Sequence, residues 1–123
     1  MVHLYKLNLS IKLNTNTFGK ETSVIDKEEI VMLEEKVEAV SNLLKSIAHP
    51  LRLKILCKLL DGEKTVGEIQ SMVLTSNANI SQHLTKLRHH GIIASRKEAN
   101  FIYNRIADQR FVDLVDTLQN LFC

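Results

Sequence analysis

From Asn77 to His90 the chain reads Asn-Ala-Asn-Ile-Ser-Gln-His-Leu-Thr-Lys-Leu-Arg-His-His, a run dense in side chains that can read or hold a polyanion. The amides of Asn79 and Gln82 carry the adjacent donor and acceptor that pair bidentately with adenine. Ser81 and His83 can reach base edges or phosphates, and Lys86 and Arg88 can neutralise phosphate charge. Thr75, Ser76 and Asn77 add hydrogen-bonding groups where the run begins. A second chemistry belongs to sulfur. Cys57 and Cys123 are the only two cysteines, and a thiol reacts as its thiolate. Arg52, Lys54 and Lys58 lie beside Cys57 in sequence and favour that form if they fold towards it, whereas Cys123 closes a helix beside the terminal carboxylate and is less favoured.

Helices must position the first of these groups. In Thr65-Val-Gly-Glu-Ile-Gln-Ser-Met-Val, apolar Val66, Ile69, Met72 and Val73 recur at helical spacing behind a Thr that can cap. Leu74-Thr-Ser breaks the pattern, and a second helix follows with Ile80, Leu84 and Leu87 inward and Asn79, Ser81, Gln82, His83 and Lys86 outward. Gly91 ends it, and Ile92-Ile-Ala-Ser-Arg-Lys and Phe101-Ile-Tyr-Asn-Arg-Ile bracket Glu98-Ala-Asn as a hairpin that carries Arg96, Lys97 and Tyr103. Upstream, Ile30, Leu33, Val37, Val40, Leu44 and Ile47 step by threes and fours, a narrow coiled-coil-like seam. Pro50 opens a helix from Leu51 to Leu60 that Asp61-Gly62 stops, and Asp108 caps a last helix with a wide apolar stripe from Phe111 to Phe122. The predicted order is α-α-α-α-β-β-α, a mainly helical winged helix-turn-helix with a two-stranded wing. Residues 1–26 read as a tail or short appended element, and 27–123 as one DNA-binding and dimerisation domain.

Charge follows the same division. Between Pro50 and Arg105 nine Lys and Arg face four acids, although the whole chain of 123 residues is only +2. Positive charge therefore sits on the segment that would meet phosphate. A solvated polar face is the plain alternative for the second helix, and some winged helices bind only protein. No Ser-His-Asp set, Gly-rich phosphate loop or paired-carboxylate motif is present, so an enzyme is not expected. There is no bilayer-length apolar run, and Met1-Val-His-Leu-Tyr-Lys lacks the pattern of a signal peptide. A cytoplasmic location without membrane contact is the resulting expectation, and in that compartment two cysteines are read as thiols.

Ser46-Ile-Ala-His-Pro-Leu-Arg-Leu-Lys-Ile-Leu, Val66-Gly-Glu-Ile, Ile80-Ser-Gln-His-Leu-Thr-Lys-Leu-Arg-His-His-Gly-Ile-Ile and Tyr103 together resemble the ArsR/SmtB-type bacterial winged-helix repressors, over about Leu33 to Cys123. The resemblance implies a homodimer formed by the first and last helices, recognition helices from Asn77 to His89 in successive major grooves of an inverted-repeat operator, wings from Arg96 to Tyr103, and release by a small chemical signal. The family's arsenic or cadmium site needs a Cys-x-Cys where this chain has Val66-Gly-Glu-Ile. Its zinc site needs Asp and His on the last helix, where only Asp113 and Asp116 occur. No metal and no cofactor is expected on that basis, and His49 at a helix junction is read as a packed or capping residue. Cysteines in the contexts Ile55-Leu-Cys57 and Leu121-Phe-Cys123 are instead similar to the persulfide- and redox-sensing branch, the SqrR, BigR and HlyU type. That likeness implies a Cys57–Cys123 switch answering reactive sulfur species or an oxidant. A regulator sensing another signal, metal or none, stands as the alternative, beside the protein-binding module.

Overall fold

The computed structural model describes residues 26–123. Apart from Asp26, the N-terminal element expected over residues 1–26 lies outside the described residues. Helix α1 spans Lys27–Ile47, α2 Pro50–Leu59, β1 Lys64–Thr65, α3 Val66–Met72, α4 Asn77–His89, β2 Ile93–Glu98, β3 Phe101–Ile106 and α5 Gln109–Phe122. The mainly helical winged arrangement agrees with the sequence reading, with one strand more than expected. The dipeptide Lys64-Thr65 pairs with β3, Lys64 opposite Asn104 and Thr65 opposite Tyr103, so the wing is part of a three-stranded antiparallel sheet in the order β1-β3-β2.

Contacts divide the chain into two compact units after Ala39. In the first, Ile30, Val31, Leu33 and Val37 of α1 are all exposed. In the second, from Val40 to Cys123, the core is a continuous apolar cluster. Leu51, Ile55, Leu56 and Leu59 of α2 meet Ile80, Leu84 and Leu87 of α4 and Phe111 and Val115 of α5, with Ile69, Ile92 and Ile93 closing the sides. A helix as short as α4 is marginal by itself in water, so this buried stripe is what holds it.

The helix ends are specified locally. Ser76 Oγ accepts from Asn79 N–H at 3.2 Å and starts α4, and Thr65 Oγ1 accepts from Glu68 N–H at 3.1 Å and starts α3. At the far end of α4, Gly91 takes φ 73°. Its N–H donates to Arg88 O at 3.0 Å and that of Ile92 to Leu87 O at 3.0 Å, the paired bonds of a Schellman ending with buried Leu87 and Ile92 as its apolar contact. The chain thereby turns directly from α4 into β2. The hairpin between β2 and β3 has only Ala99 and Asn100 outside the ladder, and Ala99 adopts φ 55°, a left-handed conformation that costs an L-residue roughly 1–2 kcal/mol.

Candidate nucleic-acid interface and thiol pair

Helix α4 has two distinct faces. Ile80, His83, Leu84 and Leu87 are buried, while Asn77, Ser81, Gln82, Thr85 and Lys86 are exposed along one side at helical spacing. Thr85 is a member of this edge that the sequence reading does not single out, although it follows Ser81 by one turn; its hydroxyl donates to Ser81 O at 2.8 Å. Thr75 and Asn79 are half-buried and hold the turn before the helix. Asn79 Nδ2 donates to Thr75 Oγ1 at 2.9 Å, and Gln70 Nε2 to Thr75 O at 3.3 Å. Ser76 is exposed but commits its oxygen to the cap.

His83 departs from the expected outward position. Only 8% of it is exposed. Its ring lies 4.3 Å, centroid to centroid, from that of His49, and its Nδ1 is 3.1 Å from Arg52 Nη1. Because arginine stays protonated and can only donate, the bond requires an unprotonated Nδ1. Burial, then the neighbouring His49, Arg52 and Lys86, pull the His83 pKa below its ordinary value. His49 itself caps α2, its Nδ1 accepting from Leu51 N–H at 3.0 Å, in keeping with its expected capping role.

The wing also revises the sequence picture. Arg96 makes a bidentate bond to Glu63, pairs with Glu98, and lies 4.6 Å above the half-buried Tyr103 ring, its cross-strand partner. The Arg96 bond holds the Glu63 carboxyl below the usual carboxylate range. Arg96 is therefore a strut between β1's approach and the hairpin, with its charge answered by two carboxylates. Lys97 is exposed and, among the described residues, has no ion-pair partner. The expected set therefore divides. Asn77, Ser81, Gln82, Lys86 and Lys97 are presented to solvent, whereas Thr75, Ser76, Asn79, His83, Arg96 and Tyr103 are engaged within the protein.

A buried residue not foreseen from sequence joins helix to wing. Asn104 is fully enclosed; its Oδ1 accepts from Ser95 Oγ at 2.7 Å and Arg88 Nη2 at 3.3 Å, and its Nδ2 donates to Lys64 O at 3.3 Å. Arg88 Nε also donates to Ser95 Oγ at 3.0 Å. Arg88, expected as a phosphate ligand, is thus turned onto the sheet.

The two cysteines are free thiols on packed helices. Cys57 of α2 is half-buried against the core, and exposed Cys123 ends α5, its N–H donating to Gln119 O at 3.0 Å. Burial pushes the Cys57 thiol above its ordinary pKa, the nearby charge of Cys123 adds to the rise, and Lys58 opposes it with a smaller effect. The expectation that basic neighbours favour a Cys57 thiolate is corrected accordingly, because desolvation outweighs them. Among the described residues no three His, Cys, Asp or Glu gather as a metal site, and no helix is long and apolar enough to cross a membrane.

A helix presented with its polar edge free, anchored by a capped helix before it and a hairpin after it, is the reading head of a winged helix-turn-helix regulator of transcription. Residues 49–95 match the family model described as bacterial regulatory protein, arsR family. The chain is 35% identical over 91 residues to the biofilm growth-associated repressor of Xylella fastidiosa, covering 74% of this chain and 80% of that protein. It is 40% identical over 81 residues to the transcriptional activator HlyU of Vibrio cholerae, covering 66% and 75% respectively. Among solved structures, reduced HlyU from Vibrio cholerae superposes with a TM-score of 0.72 at 36% identity, over 75% of this chain and 97% of that one. The transcriptional repressor BigR from Xylella fastidiosa gives 0.69 at 33%, over 80% and 98%. The chain belongs to the ArsR family and is a DNA-binding transcriptional regulator, not an enzyme.

Proposed function

We propose that this regulator is a homodimeric repressor that binds an inverted-repeat operator and is released by persulfide or a related reactive sulfur species through Cys57 and Cys123. The observation that carries the reading is that the chain's only two cysteines stand on α2 and at the end of α5, two helices that pack against each other. The flanking basic residues suggest Cys57 as first attacker and Cys123 as resolving partner, but burial raises the Cys57 thiol's pKa, so exposed Cys123 takes the first role here. Its thiolate takes the outer sulfur of a persulfide RS–SH and releases RS⁻. The Cys57 thiolate then displaces hydrosulfide from Cys123–S–SH, leaving a Cys57–Cys123 bridge. If Cys123 carries one sulfur more, the same displacement gives a trisulfide, which spans a longer gap than the roughly 7 Å between Cα atoms that a disulfide tolerates. Either bridge ties α5 to α2, the helix beneath α4, and biases the dimer against its DNA-binding arrangement.

Exposed apolar surface supports the dimer. Val40 and Leu44 join Leu43, Phe111 and Leu114 around a cleft of about 160 Å³, and Leu121 and Phe122 stand exposed at the end of α5. Val40→Glu combined with Leu118→Glu should give monomers in sedimentation. Wild-type chain sedimenting as a monomer at micromolar concentration would remove this part of the reading.

A gel shift on the chain's own upstream DNA, with and without a persulfide donor, tests the switch. Reduced protein should bind, treated protein should bind at least tenfold more weakly, and Cys57→Ser and Cys123→Ser should stay bound. Release of both serine variants as readily as wild type would dismiss the cysteines as the sensor. The Vibrio cholerae relative is named an activator, which favours a second reading in which the bound chain raises transcription, with or without the help of another protein. A promoter fusion transcribed with purified polymerase separates the two, since direct repression needs no other protein.

A further inference from the structure

Asn42, Lys45 and Ser46 from the end of α1, Arg52 from α2, and Lys86 and His90 from the end of α4 line a cavity of about 510 Å³. None of the six is acidic, and among the described residues no carboxylate lies within ion-pairing distance of Lys45, Arg52 or Lys86. Helix dipoles account for part of this basic lining, since Lys45 and Lys86 occupy last turns, where cations are favoured. Arg52 has no such account. It lies in the first turn of α2, where the dipole opposes a positive charge. One of its nitrogens is given to His83, while its Nε is buried with no acceptor among the described residues. The enclosed Nε is out of a ligand's reach, but among the described residues no carboxylate answers the guanidinium's charge, and a phosphoryl oxygen is the partner its geometry matches best. The Ser46 hydroxyl is already given to Leu43 O at 2.5 Å, so the donors left for a ligand are Lys45, Lys86, the Arg52 guanidinium, the His90 ring and the Asn42 amide.

We propose that this cavity is a phosphoryl-anion site, separate from the thiol pair, which takes either a backbone phosphate of the bound duplex or a free phosphorylated small molecule. Full-length protein is titrated with inorganic phosphate against chloride at matched ionic strength, followed by amide NMR shifts, and with operator and random duplex across a salt series. Saturable phosphate binding is expected at Ser46, Arg52 and His90, weakened about tenfold by Lys45→Gln. Arg52→Gln should do the same but also releases His83, so the exposed Lys45 is the deciding position. If the occupant is a backbone phosphate, Lys45→Gln weakens both duplexes alike and lowers the salt slope by about one. If it is a free ligand, Lys45→Gln weakens phosphate binding and leaves both duplex affinities in place. Phosphate no better than chloride together with an unchanged salt slope overturns the proposal, as does phosphate binding that Lys45→Gln leaves unaltered.

Discussion

Replacing Asn104 by alanine should loosen the wing from the recognition helix, and the cost follows from what the amide touches. The substitution removes a short bond from Ser95 Oγ, a longer one from Arg88, and the donor to the Lys64 carbonyl. Ser95 and Arg88 are exposed enough to be rehydrated, so their share is small, about 1 kcal/mol together. The Lys64 carbonyl loses a partner in a half-buried place, and truncating a fully enclosed side chain leaves a small void, which together add about 1–2 kcal/mol. A loss of about 2–3 kcal/mol lowers the melting temperature of a domain this size by roughly 10–20 °C. Ser95→Ala, which breaks only the exposed side of the network, should cost about 1 kcal/mol. Urea unfolding of reduced protein at one fixed concentration measures both, and fluorescence anisotropy with operator and random duplex should show the Asn104 variant weakened on each to a similar degree. An Asn104→Ala protein within about 0.5 kcal/mol of wild type, the ordinary spread for a surface change, would refute the reasoning, as would Ser95→Ala proving the costlier change.

Gln82→Ala should reduce discrimination between operator and random duplex by about 1–3 kcal/mol if its amide pairs bidentately, as competition gel shifts would report. Lys97→Ala should weaken both duplexes and flatten the salt dependence by about one, whereas Arg96→Ala, which frees Glu63 and Glu98 as well as removing a cation, should destabilise the wing with a slope change unlike that of Lys97. Stability should decline as pH falls through and below about 6.5, the ordinary histidine value. The folded chain binds the His83 proton at a lower pH than the unfolded chain does, so within that interval the unfolded state holds more protons and acid favours it. The contribution is fully present above the unfolded value and is lost as pH drops through the folded one. Chemical denaturation from about pH 7.5 to about pH 5, a range that brackets the ordinary histidine value, checks this, and His83→Gln should flatten the profile.

The elements most visible in the sequence are those with a long apolar period or a strong terminus signal. Ile80, Leu84 and Leu87 with Gly91 place α4 and its ending, and Pro50 and Asp61-Gly62 bound α2 to within a residue or two. At His83 two signals conflict. Its position lies on the stripe of Ile80 and Leu87, three residues after one and four before the other, so periodicity alone puts it inside; its polarity suggests the outward face. The structure satisfies that polarity with Arg52, thirty-one residues away, and no local pattern contains such a partner. Strand β1 escapes a reading of the sequence because two residues have no period, and the signal for it lies forty positions on, at Asn104. Arg96 looks like free charge for the same reason, since Glu63 comes to it only through the sheet. Flanking basic residues suggest one environment for Cys57, while the dominant influence is the apolar packing around it.

Thr65 belongs to two structures at once. Its backbone is the last rung of β1 opposite Tyr103, and its side chain caps α3. The helix pair and the hairpin are therefore hinged to nothing between them, and the Asn104 amide fastens the same joint from the other side. A signal arriving from elsewhere in the chain meets the helix and the wing fastened to each other through Thr65 and Asn104. Under the proposed switch, induction silences reading without changing what is read: the protein leaves its target and does not acquire a new one.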